Sequence, residues 1–85
     1  SMNMTILTVD DSRTMREMVS FTLKGAGYSV VEAEDGQAAL AVAGGTKPDL
    51  VITDLNMPNM NGFELLRALR ADPAHKFTPI LMLTT

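Results

Sequence analysis

The 85-residue sequence predicts an α/β domain built on a doubly wound parallel sheet. Three observations predict it. Short apolar, β-branched runs alternate with longer stretches whose apolar residues recur at three- and four-residue spacing. The runs TILTV, LVIT and ILML are apolar on both faces, the pattern of strands covered by helices on either side. Each run is bounded by Gly, Pro or Asp and is too short for a helix, which counts against a helical bundle.

The elements follow in order. TILTV, Thr5–Val9, forms the first strand and runs into Asp10 and Asp11. Residues 12–24 form the first helix. Ser12 is its N-cap, and Met15, Met18, Val19, Thr22 and Leu23 line one face. Gly25 and Gly27 supply its stop. Ser29–Ala33 is the second strand. Asp35-Gly36 turns the chain into an alanine-rich helix, residues 37–43, which Gly44-Gly45 ends. Residues 49–53 are the third strand and deliver Asp54. Asn61 and Glu64 have the spacing of a capping box. Phe63, Leu66, Ala68 and Leu69 carry the third helix until Pro73 breaks it. Pro79 precedes the fourth strand, Ile80–Leu83, which ends at Thr84 and Thr85.

Composition narrows the function classes. Apolar residues make up 46% of the chain, too many for a disordered segment. There is no cysteine, which excludes a disulfide framework and a thiolate metal site. The net charge is −3, and the seven basic residues are scattered, so no nucleic-acid footprint is expected. No apolar run reaches the roughly 20 residues of a membrane span. The expectation is a cytoplasmic protein of one domain, residues 1–85, with residues 1–3 a leader or tag.

Open sheets of this kind bind ligands at the carboxyl ends of their strands, near the point where strand order reverses. That rule gathers Asp10, Asp11 and Asp54 at one rim if the first and third strands are neighbours, and it adds Thr84 from the fourth. Three neighbouring carboxylates repel one another. A hard divalent cation relieves the conflict, and Mg²⁺ takes one or two carboxylates together with water and a phosphate. A carboxylate beside Mg²⁺ can attack a phosphoryl group and form an acyl phosphate.

VDDSRTMR after the first strand, DLNMPNMNG after the third and ILMLTT at the fourth together resemble the receiver domain of bacterial response regulators, of the CheY-like chemotaxis type. The resemblance spans Met4 to Thr85. It implies a flavodoxin-like (CheY-like) fold with strand order 2-1-3-4-5, an order the family supplies and the residues alone do not. With four strands the expected order is 2-1-3-4. By resemblance, Asp54 is the phosphoacceptor. Asp11 binds Mg²⁺ directly, and Asp10 acts through water. The backbone carbonyl of Asn56 completes the metal shell, while its side chain faces the phosphoryl group. Thr84 is the switch hydroxyl. Met57-Pro58 and Gly62 shape the loop that begins the third helix. The implied partner is a histidine kinase.

Receivers continue with a fourth helix, a fifth strand bearing a lysine that meets the phosphoryl group, and a fifth helix. Lys24, Lys47 and Lys76 do not match that lysine. The chain is therefore read as the first part of a receiver, and its phosphoryl binding is expected to be weak. Losing one electrostatic partner of this kind costs on the order of 3 kcal/mol. The fourth strand becomes an edge in this reading, which predicts a homo-oligomer through that edge.

Each feature also has a plainer reading. Asp11 or Ser12 can simply cap the helix, Asp54 can sit in a turn, and Thr84 and Thr85 can be ordinary strand residues. Asn61 reads as a helix cap and His75 as a solvated loop residue. Met57 and Met60 flank the site without forming a binding box. Phe21 falls off the main stripe of the first helix. Three functions remain: a phosphoacceptor module, an assembly element working through its exposed edge, and an aspartyl-nucleophile phosphatase of the haloacid dehalogenase type. The last is disfavoured because Asp54-Leu55-Asn56 lacks the second aspartate such enzymes require.

Overall fold

A computed structural model describes residues 3–84. Residues 1 and 2, part of the expected leader, and Thr85 lie outside the described residues.

Four strands, β1 (Thr5–Val9), β2 (Ser29–Ala33), β3 (Leu50–Asp54) and β4 (Ile80–Leu83), alternate with three helices, α1 (Arg13–Gly25), α2 (Gly36–Thr46) and α3 (Gly62–Ala71). All strand pairs are parallel, and the order is β2-β1-β3-β4. The chain moves outward from β1 to β2, then returns past β1 to β3 and β4. Right-handed crossovers require helices on opposite faces when that direction reverses. Accordingly, α1 packs against β1 and β2 on one face, while α2 and α3 pack together on the other. Among the described residues, no helix is long and apolar enough to cross a membrane.

Leu7, Val9, Val51, Ala39, Ala43, Leu65 and Leu69 form the main core, on the α2–α3 side. Alternation along β1 sends Ile6 and Thr8 to the α1 side. There the Thr8 and Ser20 hydroxyls meet at 3.3 Å, so the buried polar atoms of both are paired.

Several sequence expectations are corrected. The face α1 turns to the sheet contains Arg16, Val19, Ser20 and Leu23; Met15 and Met18, the latter 58% exposed, lie open to solvent. On the sheet-facing side Ser20 meets Thr8, and Arg16 reaches the Asp10 carbonyl at the end of β1. Periodicity of apolar residues cannot anticipate this. In α3 the buried stripe is Leu65 and Leu69, and Phe63 is exposed. The second helix runs through Gly44 and Gly45 to Thr46. Glycine costs about 1 kcal/mol in a helix but does not forbid it. The helix ends at Lys47, whose φ of 49° is left-handed, just before Pro48.

The largest correction is His75. Pro73–His75 forms a 3-10 turn, and His75 is only 2% exposed. Its Nε2 donates to the Ala43 carbonyl at 3.3 Å, and its Nδ1 faces the Thr78 hydroxyl at 3.1 Å. Arg70 Nη1 donates to the carbonyls of His75 and Thr78 at 2.9 and 2.6 Å. These bonds tie the segment entering β4 to α2 and α3, so the register of the edge strand is fixed from below.

Candidate functional site

Register builds the site. Val9 pairs with Thr53, so the next residues, Asp10 and Asp54, leave the sheet side by side. Strand order reverses between β1 and β3, which opens the crevice where such sheets hold ligands. Asp10, Asp11 and Asp54 each offer a carboxylate oxygen, and these oxygens all lie within 4.8 Å of one another. Asp10 and Asp54 are half-buried, and Asp11 is exposed. Two unit charges about 4 Å apart repel by roughly 1 kcal/mol in water and about 4 kcal/mol at an effective dielectric of 20. The arrangement is therefore unfavourable without a cation.

Local bonds hold each acid in place. The Asp10 N–H donates to Ala33 O at 3.2 Å, and Asp10 Oδ1 accepts from Ser12 N at 2.9 Å. Ser12 then caps α1 by accepting from Met15 N at 3.3 Å. The Asp10 carbonyl accepts from Arg16 Nη1 at 2.7 Å. Around Asp54, the Asn56 N–H reaches Oδ1 at 3.4 Å, a long contact that leaves the carboxylate open. Thr53 Oγ1 donates to the Asp54 carbonyl at 2.9 Å.

The loop between β3 and α3 closes tightly. Gly62 N–H donates to Leu55 O at 2.8 Å. A Cβ at Gly62 would sit 2.7 Å from the Asp54 carbonyl and 3.0 Å from Leu55 Cα. Only glycine allows α3 to begin this close to the aspartate. Asn61 closes a capping box with Glu64, with bonds of 2.9 and 3.1 Å. Met57 is buried in the core, and Met60 lies against Gly36, where a Cβ would come within 2.7 Å of its side chain. Asn59 supplies the left-handed turn between them, with φ 70°.

The remaining expected residues are placed as follows. Asn56 follows Asp54 by two positions in this loop and is exposed. Thr84 is one residue beyond Leu83, the register partner of Asp54, and is exposed. Lys24 is in the last turn of α1, Lys47 caps α2, and Lys76 precedes β4 beside Phe77. Helices run antiparallel to the strands here, so all three lysines belong to the opposite rim. Arg16 and the packing of Met60 on Gly36 were not singled out in the sequence. Arg16 had a signal, four residues after the cap Ser12 and therefore on the face nearest Asp10.

The donor set fits Mg²⁺. The ligands are carboxylate oxygens, with no sulfur or imidazole in the cluster, and a hard cation prefers such oxygens. Residues 6–85 match the family model described as the response regulator receiver domain. The chain belongs to the response regulator receiver family. The chemotaxis protein CheY of Pseudomonas aeruginosa is 45% identical over 82 residues, which cover 95% of this chain and 66% of CheY. The phosphate regulon transcriptional regulatory protein PhoB of the same strain is 46% identical over 80 residues, covering 94% of this chain and 35% of PhoB. A crystal structure of Vibrio cholerae CheY4 superposes with a TM-score of 0.96 at 52% identity, covering 99% of this chain and 70% of that one. The receiver chain thus spans just under two thirds of the CheY relative and about a third of PhoB.

Gly62→Ala is expected to cost about 1–3 kcal/mol, the usual penalty of overpacking against backbone that cannot yield. Gly44→Ala, where a Cβ meets nothing within 4 Å, should stabilise by up to about 1 kcal/mol. Urea unfolding of both variants measures the opposite signs.

Proposed function

We propose that this receiver chain is an Mg²⁺-dependent phosphoacceptor of two-component signalling. The observation that carries the reading is the convergence of Asp10, Asp11 and Asp54 within 4.8 Å at the strand-order reversal of a receiver fold. The donor is a phosphohistidine on a histidine kinase, or a small acyl phosphate. An Asp54 carboxylate oxygen attacks phosphorus, the P–N bond of the phosphohistidine breaks, and the imidazole leaves with a proton. The product is an acyl phosphate on Asp54.

Each residue has a part in this step. Asp54 presents its oxygen from the rigid end of a central strand, which limits the entropy lost on attack. Asp11 and Asp54 would hold Mg²⁺ directly and Asp10 through water, with the Asn56 carbonyl as a further oxygen donor. When bound, Mg²⁺ neutralises charge on the transferring phosphoryl oxygens. The Asn56 N–H, already directed at Asp54, donates toward the incoming group, and its side chain borders it. Thr84 provides the hydroxyl that reports phosphorylation to the edge of the sheet. The module stores a phosphoryl group and passes on a signal in the cytoplasm; it is not a turnover enzyme.

A second reading concerns assembly. β4 is an edge strand, and Leu81 and Leu83 are 54% and 39% exposed on its α1-side face. Unpaired backbone beside exposed leucines is a template for association. We propose that copies of this chain pair through that edge.

Incubation with acetyl phosphate and Mg²⁺ should add one phosphoryl group, seen in the intact mass, and Asp54→Asn should add none. Labelling that survives Asp54→Asn contradicts the phosphoacceptor reading. Native mass spectrometry should show a dimer or larger species; a monomer that persists at high concentration contradicts edge pairing.

A further inference from the structure

Arg16 reaches the acidic rim from within the fold. It projects from α1 across the end of the sheet, and its side chain is only 15% exposed. Nη1 donates to the Asp10 carbonyl at 2.7 Å. Nε donates to Glu32 Oε1 on β2 at 3.2 Å. A planar guanidinium with fixed donors suits two partners at a fixed angle, and a lysine ammonium does not replace it. Glu32 is itself anchored, since β2 pairs with β1 at Thr8↔Glu32.

The consequence falls on the peptide between Asp10 and Asp11. Its Asp10 carbonyl is held by Arg16. The Asp10 amide is held by Ala33, and one Asp10 carboxylate oxygen is held by Ser12. Successive residues of an extended chain point to opposite faces. At this junction, however, both carboxylates meet Asp54 within 4.8 Å. The chain must turn there, and Arg16 grips the turning peptide.

We infer that Arg16 is a positioning residue for the cation site. It fixes the Asp10–Asp11 peptide so that two consecutive carboxylates face Asp54, and it is held in place by Glu32. The inference rests on the Mg²⁺-dependent phosphoacceptor reading.

The sign of one substitution separates this role from a simple field effect. A positive charge beside three carboxylates opposes cation binding. If Arg16 acted only through its charge, Arg16→Met would tighten Mg²⁺ binding and Arg16→Lys would leave it unchanged. A positioning role predicts weaker binding in both. Loss of a group that orients metal ligands costs roughly 10–100-fold in affinity, and about tenfold is expected for Arg16→Met at this open site.

The test is a Mg²⁺ titration of the full chain, followed through amide resonances of residues 10–12 and 54–56. It is run well below each variant's thermal midpoint. A merely structural role would lower that midpoint and leave the folded chain's affinity intact. Weaker binding in Arg16→Met, with a smaller loss in Arg16→Lys, supports the inference. Equal or tighter binding in Arg16→Met overturns it and leaves the phosphoacceptor reading standing. If Arg16→Met fails to fold, Arg16→Lys decides: weaker binding supports the inference and unchanged binding overturns it. No Mg²⁺ response in the unaltered chain overturns both.

Discussion

Electrostatic repulsion among three carboxylates is the constraint around which the rest of this molecule is arranged. Asp10 and Asp11 follow β1 and Asp54 ends β3, more than forty residues further along the sequence, and folding forces the three together. The core on the other side of the sheet makes this possible. Burial of Leu7, Val9, Val51, Leu65 and Leu69 holds β1 beside β3 in a single register. A slip of one residue would turn Asp54 to the wrong face and expose that core. Apolar burial thus maintains a cluster of like charges at the ends of the two strands, and under the proposed function a cation would convert their repulsion into affinity.

The smaller features serve the same end. Gly62 lets α3 start against the Asp54 carbonyl, and the Asn61–Glu64 capping box holds that start in place. Met60 on Gly36 ties the loop after Asp54 to the beginning of α2. Arg16 does the corresponding work on the β1 side, through Asp10 and Glu32. Loops that carry function are usually mobile. Here both are fastened to helices on opposite faces of the sheet, while the acids between them stay open to solvent.

Much of this was legible in the sequence because it depended on local signals. The strand runs TILTV, SVVEA and ILML match the observed strands, and Asn61-x-x-Glu64 is a capping box in the structure. The meeting of Asp10, Asp11 and Asp54 followed from the rule for open sheets once the strand order implied by the receiver resemblance set the first strand beside the third. What could not be read locally depended on distant partners. His75 looks like a loop residue until Ala43, thirty-two positions earlier, accepts its ring nitrogen. Ser20 and Arg16 break an apolar stripe, and only Thr8, Glu32 and the Asp10 carbonyl explain why they face inward. Gly44 and Gly45 read as a stop, yet their propensity cost is small beside the packing that carries α2 on to Thr46.

Paramagnetic broadening by Mn²⁺ tests the central geometry most directly, because Mn²⁺ accepts the same oxygen donors as Mg²⁺. At low Mn²⁺, amide resonances of residues 10–12 and 54–56 should broaden first, while those of Lys24 and Lys47 at the opposite rim stay sharp. Broadening spread evenly over the surface, or centred on other acids such as Glu17 or Asp72, would contradict a shared cation site at the ends of the first and third strands.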